Sequence, residues 1–218
     1  EGYTITKIAR LWEQAGFGPQ EQFLTAAAQI YTDSFLPATN DDMKYQIEGY
    51  LAPATYQVVI NATPQVFIRQ MLDAHKQQVA PQIRLTSGSQ LKSAHEVLTL
   101  ASIVEREAND LVNRRRVAGV FLNRLRLGMP LQSDVTVDYA TGKSVTSAAD
   151  TLVASPYNTY KIKSLPPGPI GSPSSDAILA VLNPTSSDDI FFLAAPDGQV
   201  YYAKTLAVHN QNIDKYLK

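Results

Sequence analysis

The chain has 218 residues, 44% of them hydrophobic and 18% charged, and its 19 Lys and Arg against 20 Asp and Glu leave a formal net charge of −1. That length suffices for a substantial core, and the near-neutral charge removes the electrostatic case for wholesale nucleic-acid binding, pointing to a neutral or locally patterned substrate. The absence of cysteine rules out disulfides and thiolate metal sites, and no run approaches the roughly 18 apolar residues of a membrane span.

In chain order, Thr4 or Thr6 caps a first amphipathic helix carrying Ile8, Leu11 and Trp12 and stopping near Gly16; a second runs from Pro19 through Phe23, Ala26 and Ile30. The turn-rich segment Glu48-Gly-Tyr-Leu-Ala-Pro-Ala-Thr-Tyr56 leads into Tyr56-Gln-Val-Val-Ile60, whose β-branched content predicts a strand. Thr63-Pro64 opens a helix to about Val79. A helix from about Ser89 to Asn109 and another from Leu111 to Leu127, closed by Gly128, read as a helical hairpin.

From Pro130 to Ser172 the pattern predicts short strands and long loops, including Leu131–Asp134, Val135–Tyr139 and Ser155–Tyr160. Ser174 begins a helix to Leu182; Ile190–Ala194 and Gln199–Ala203 form a hairpin about Pro196-Asp-Gly198; Thr205 to Leu217 closes as a helix. The whole reads as α+β: a helical hairpin on a small, mainly antiparallel sheet, preceded by an N-terminal helical subdomain.

The chemistry concentrates in Leu98-Thr-Leu-Ala-Ser-Ile-Val-Glu105-Arg-Glu107, an apolar run ending in two acids. A carboxylate on the buried side of a helix is costly unless paired or protonated, which makes it a candidate general acid. Glu105 shares its face with Leu98, Ala101 and Ser102, Glu107 with Leu100, Ile103 and Val104, and the two lie about 200° apart, so one of them faces a given cleft. Hydrophobicity leans to Glu107 as the buried acid; the small residues beside Glu105 suit an approachable one. The competing reading makes both ordinary helix-end acids paired with Arg114, Arg115 or Arg116. Asp134 is a second carboxylate, of the kind a hydrolytic glycosidase needs. His75, His95 and His209 lack metal-ligand spacing. Asn123, Gln132, Tyr157, Asn158 and Tyr160 supply amides and phenols of the kind that bind sugars.

Several blocks together resemble one family. Glu48–Tyr56, Ala101-Ser-Ile-Val-Glu-Arg-Glu107, Val120-Phe-Leu-Asn-Arg-Leu-Arg-Leu-Gly-Met-Pro-Leu-Gln-Ser-Asp134, Ser155-Pro-Tyr-Asn-Thr-Tyr160, Leu165-Pro-Pro-Gly-Pro-Ile170 and His209-Asn210 resemble the endolytic murein transglycosylases, the YceG-like or MltG family. The family's pattern carries Asp or a similar residue where this chain has Ala54.

The resemblance implies a lytic transglycosylase that cleaves the β-1,4 bond between N-acetylmuramic acid and N-acetylglucosamine inside glycan strands and leaves 1,6-anhydro ends. It places the catalytic glutamate on the first acid, Glu105, with Gln132, Ser133, Asp134, Asn158, Thr159, Tyr160 and Asn123 binding substrate. It implies no cofactor, metal or nucleic acid; the partners are peptidoglycan strands and, in a regulatory role, peptidoglycan synthases of elongation or division. It also implies a single-pass anchor in the cell membrane, with this segment on the extracytoplasmic side. Residues 1–47 would then be the remainder of an upstream LysM-like or linker region, and 48–218 the catalytic domain. Two alternatives stay open: a lysozyme-like hydrolase using Glu105 with Asp134, and a non-catalytic wall-binding scaffold.

Overall fold

Short polar side chains set most helix boundaries. In the computed structural model, which describes residues 1–217, Thr4, Thr63, Ser93, Asp110, Ser174 and Thr205 each accept a hydrogen bond from the N–H three residues on. They open α1 (Ile5–Gln14), α3 (Pro64–Ala74), α4 (Ala94–Glu107), α5 (Leu111–Arg126), α7 (Ser175–Leu182) and α8 (Leu206–Tyr216). Each such cap contributes about 1 kcal/mol. Between them lie α2 (Gln20–Ala27), begun after Pro19, and α6 (Asp134–Thr141), ended by Gly142 at φ +73°. β1 (Phe191–Ala194) and β2 (Val200–Ala203) pair antiparallel, Phe191 opposite Ala203. The helix expected to run to Val79 does so, its last five residues loosening into a π turn after α3.

The centre of the molecule is α4. Its residues from Val97 to Val104 are all buried, because neighbours enclose it on every side. Val117 and Phe121 of α5 and Ala177, Ile178 and Val181 of α7 share that core. Residues 1–47 belong to the same core, Trp12 stacking on Phe67 of α3 at 5.6 Å and Phe23 lying beside both. The β hairpin covers α5 through Phe192, whose ring meets Phe121 edge-on at 5.6 Å. The fold is α+β, as its sequence pattern predicts.

The Glu48 motif ties these parts together. Gly49 sits at φ +82°, and a Cβ there would lie 2.4 Å from Pro169, so only glycine lets this segment press against the Pro-rich loop. Glu48, fully buried, accepts hydrogen bonds from the Ile5 N–H and the Tyr139 hydroxyl, both at 3.0 Å. Burial pushes its carboxyl up to about 7, against the opposing pull of those two donors. Tyr50 continues the tie through His95 Nδ1 at 2.9 Å, whose Nε2 meets the Pro167 carbonyl at 2.8 Å.

Four segments expected as strands are not strands. Tyr56–Ile60 pairs with no strand among the described residues, and it leaves Val59 and Ile60 largely exposed before a turn at Asn61. Val135–Tyr139 is the body of α6: burial of Thr136, Val137 and Tyr139 on one side overrides their β preference, and Thr136 Oγ1 bonds back to the Ser133 carbonyl at 2.7 Å. Ser155–Tyr160 is a series of turns locked by Asn158, and Leu131–Ser133 is an irregular lead into α6. The second predicted helix ends at Ala27, so Ile30 falls outside it and is exposed.

Candidate active site

The two acids at the end of α4 have different surroundings. Glu105 points at the N-terminus of α7, where it accepts from the Ser174 N–H at 3.0 Å and from the Ser174 hydroxyl. Its other oxygen takes the Arg114 guanidinium at 2.7 Å, and both side chains of that pair are at most 10% exposed. Arg114 is itself held by the Ala108 carbonyl at 2.9 Å and the Ser174 hydroxyl at 3.0 Å. The four groups make a closed network in which both oxygens of Glu105 accept from protein donors.

Glu107 points the other way, into a cleft of about 350 Å³. Gln132, Asp134 and Tyr160 share that cleft with it, as do Phe191, Phe192 and His209. The Ser133 hydroxyl, buried at the start of α6, donates to Glu107 Oε1 at 2.5 Å and fixes the carboxyl's orientation. Burial raises the Glu107 carboxyl above the usual carboxylate range, and the nearby Asp134 and Asp138 charges push the same way; the Ser133 hydrogen bond and Arg106 oppose them. A carboxyl so placed keeps its proton at higher pH than a solvated one and can give it to a bound ligand.

The other residues expected to bind substrate divide in two. Gln132, at φ +51°, is exposed in the cleft, its side-chain oxygen 3.3 Å from Arg124 Nη1. Asp134 accepts from the Tyr160 hydroxyl at 2.7 Å on the rim. Asn158 and Thr159 are fully buried. The Asn158 amide donates to the carbonyls of Thr151 and Val153, while Thr159 Oγ1 accepts from the Ser133 N–H at 3.0 Å and meets Thr136 Oγ1 at 2.8 Å. Asn123 donates to the carbonyls of Ser187 and Asp189, away from the cleft lining. These three are thus braces: Thr159 seats Ser133, Asn158 shapes the turn that presents Tyr160, and Asn123 holds the approach to β1.

Sequence reasoning gave no site role to Arg124, Phe191, Phe192 or His209. Arg124 is buried and reaches the carbonyls of Ile190, at 2.6 Å, and Leu131, at 2.8 Å, so one guanidinium joins both walls of the cleft. Burial lowers its affinity for the proton without discharging it. His209 lies against the Phe191 ring at 5.1 Å; burial and the Arg124 charge lower its pKa, favouring neutral imidazole. The signals were present: Arg124 follows Asn123 in a block already marked, and His209-Asn210 closes the series. Among the described residues no cluster of three or more His, Asp or Glu could hold a metal ion.

The fold and the cleft define an α+β protein with a single orienting serine on a carboxyl of raised proton affinity, flanked by aromatic rings. A family model described as the YceG-like family matches residues 1–215, and the chain belongs to that family. It is 36% identical, over its whole length, to an endolytic murein transglycosylase of Streptococcus pneumoniae serotype 2, covering 44% of that protein. It is 39% identical over 90% of its length to the endolytic murein transglycosylase of Bacillus subtilis, covering 56% of it. The chain thus spans about half the length of the curated relatives it matches. A crystal structure of a YceG-like protein from Listeria monocytogenes superposes with a TM-score of 0.86 at 36% identity, covering 97% of this chain and 73% of that one.

Proposed function

We propose that this chain is the catalytic part of an endolytic murein transglycosylase, with Glu107 rather than Glu105 as its acid. The observation that carries the reading is the placement of Glu107: a half-buried acid of raised pKa, oriented by Ser133, in the same cleft as Gln132, Asp134 and Tyr160. The names of the relatives supply the substrate. The surroundings of Glu105 support a structural part instead, since Arg114 and Ser174 occupy its oxygens.

In the reaction, Glu107 gives its proton to the glycosidic oxygen as the bond from the muramyl C1 breaks. The resulting carboxylate takes the proton of the muramyl C6 hydroxyl while that oxygen attacks C1, closing a 1,6-anhydro ring. One carboxyl serves both steps because the nucleophile belongs to the substrate. Phe191 and Phe192 offer apolar faces to the sugar rings, and Gln132 offers an amide. Such an enzyme would act outside the cell membrane, where murein lies; a single-pass anchor and contacts with peptidoglycan synthases extend the same reading.

Mass spectrometry of products from purified glycan strands tests it. Anhydro ends from internal cleavage are expected. Reducing ends would instead assign a hydrolase, with Asp134 as the second carboxylate, and intact strands a binding module.

A further inference from the structure

The acid cleft lies at the N-terminal end of α6, and at the other end of that helix a second groove of about 520 Å³ runs between α1 and the segment after α6. Its charge is one-sided. Lys7 and Arg10 of α1, Lys44, Arg106 of α4 and Lys143 line it, with Asp138 the one carboxylate among the lining residues. In a chain of net charge −1 that is a marked concentration of cations.

Asp138 does not neutralise them, because its oxygens are shared between Arg106 at 3.5 Å and the Thr146 hydroxyl at 2.7 Å. Lys143 is held by Asp150. Lys7, Arg10 and Lys44 form no ion pair with any carboxylate among the described residues. Lys7 rests over the Tyr3 ring at 3.9 Å and Lys44 over Tyr139 at 5.3 Å, contacts that place the ammonium groups without cancelling their charge. Two arginines of the Arg114–Arg116 run are engaged elsewhere: Arg114 on Glu105, Arg116 on Asp189 and the Tyr202 ring.

We infer that this groove binds the carboxylates of the peptide stems carried by a murein strand whose glycan lies in the acid cleft. The inference rests on the proposed function for its substrate. Its geometric basis is the shared scaffold: Asp134 in the cleft and Asp138 in the groove are one helical turn apart, and Arg106 adjoins Glu107. The eight residues of α6 span about 12 Å, so the two sites suit groups borne a short reach apart on one polymer. The cations come from separate segments of the chain, α1, the stretch holding Lys44, α4 and the turn after α6, rather than from one. That spacing fits several carboxylates along a flexible peptide better than one compact anion, and mobile lysines tolerate irregular spacing.

Calorimetric titration with two soluble fragments tests it: a disaccharide bearing its tetrapeptide, and the same disaccharide without it. The wild-type chain should bind the stemmed fragment roughly tenfold more tightly, the scale of two or three exposed ion pairs, and the advantage should shrink at high salt. The double variant K7E/R10E on α1 and the variant K44E, all three positions exposed, should each lose that advantage while binding the bare disaccharide as before. Equal affinities in the wild type, or equal losses for both fragments in the variants, would overturn the inference. So would binding to phosphatidylglycerol vesicles through Lys7 and Arg10 without any preference for the stem. Because the titration needs no turnover, a chain that prefers stemmed fragments yet leaves strands intact would keep this inference and sink the proposed function.

Discussion

Replacing Glu105 by Gln keeps the side chain's shape and removes its charge, leaving Arg114 with no carboxylate partner in a site at most 10% exposed. Gln also turns one acceptor into a donor facing the Ser174 N–H, which lies 3.0 Å from the carboxylate. Breaking a buried pair from one side costs about 3–5 kcal/mol, because the remaining charge stays desolvated. Against a typical total of about 5–15 kcal/mol, that is at least about a fifth of the stability of a small protein. Urea unfolding followed by circular dichroism should therefore show a large fall in midpoint with little change in slope. Adding Arg114→Met should recover much of the loss, since the orphaned charge is then gone. Activity per folded molecule at low temperature should stay within a few-fold of wild type. A Glu105→Gln protein as stable as wild type but inactive would refute this reasoning and return the acid's role to Glu105.

Two further outcomes follow from the carboxyls. Glu48 has a folded pKa raised from 4.5 to about 7, so the folded state holds its proton more tightly than the unfolded chain. The stability it contributes is full below about pH 4.5 and is lost as pH rises to about 7, a swing of about 3 kcal/mol at 1.36 kcal/mol per pH unit. Urea midpoints across that window should fall more steeply for wild type than for Glu48→Gln; parallel slopes would contradict the assignment. Ser133→Ala removes the hydrogen bond that holds the Glu107 proton affinity down, so the alkaline limb of the pH–rate profile should move to higher pH while kcat falls about tenfold through lost orientation. An unmoved limb would show that Ser133 does not act on this carboxyl.

Much of the fold was legible because the chain states its helix ends locally. Thr4, Thr63, Ser174 and Thr205 cap where their sequence context predicts, and Pro196-Asp-Gly198 turns the hairpin. Helix α6 was hidden because Val135, Thr136 and Val137 carry a local β preference that burial outweighs, and burial is decided by partners distant in sequence. The same limit governs the site. Periodicity correctly separates Glu105 and Glu107 onto different faces, but which face meets the cleft depends on where α6, α7 and the hairpin dock. Asn158 and Thr159 have the chemistry of sugar binders, yet both are spent on unpaired backbone and hydroxyl groups in a buried turn. Arg124 escaped notice for the opposite reason, being a cation whose partners are carbonyls rather than acids.

The most direct test is the rate of strand cleavage by Glu107→Gln beside wild type on purified sacculi, with folding verified for both. The carboxyl is asked to serve as acid and then base, so its loss should lower the rate by at least about 10²–10⁴-fold while glycan binding persists. Cleavage by Glu107→Gln within a few-fold of wild type would contradict the account.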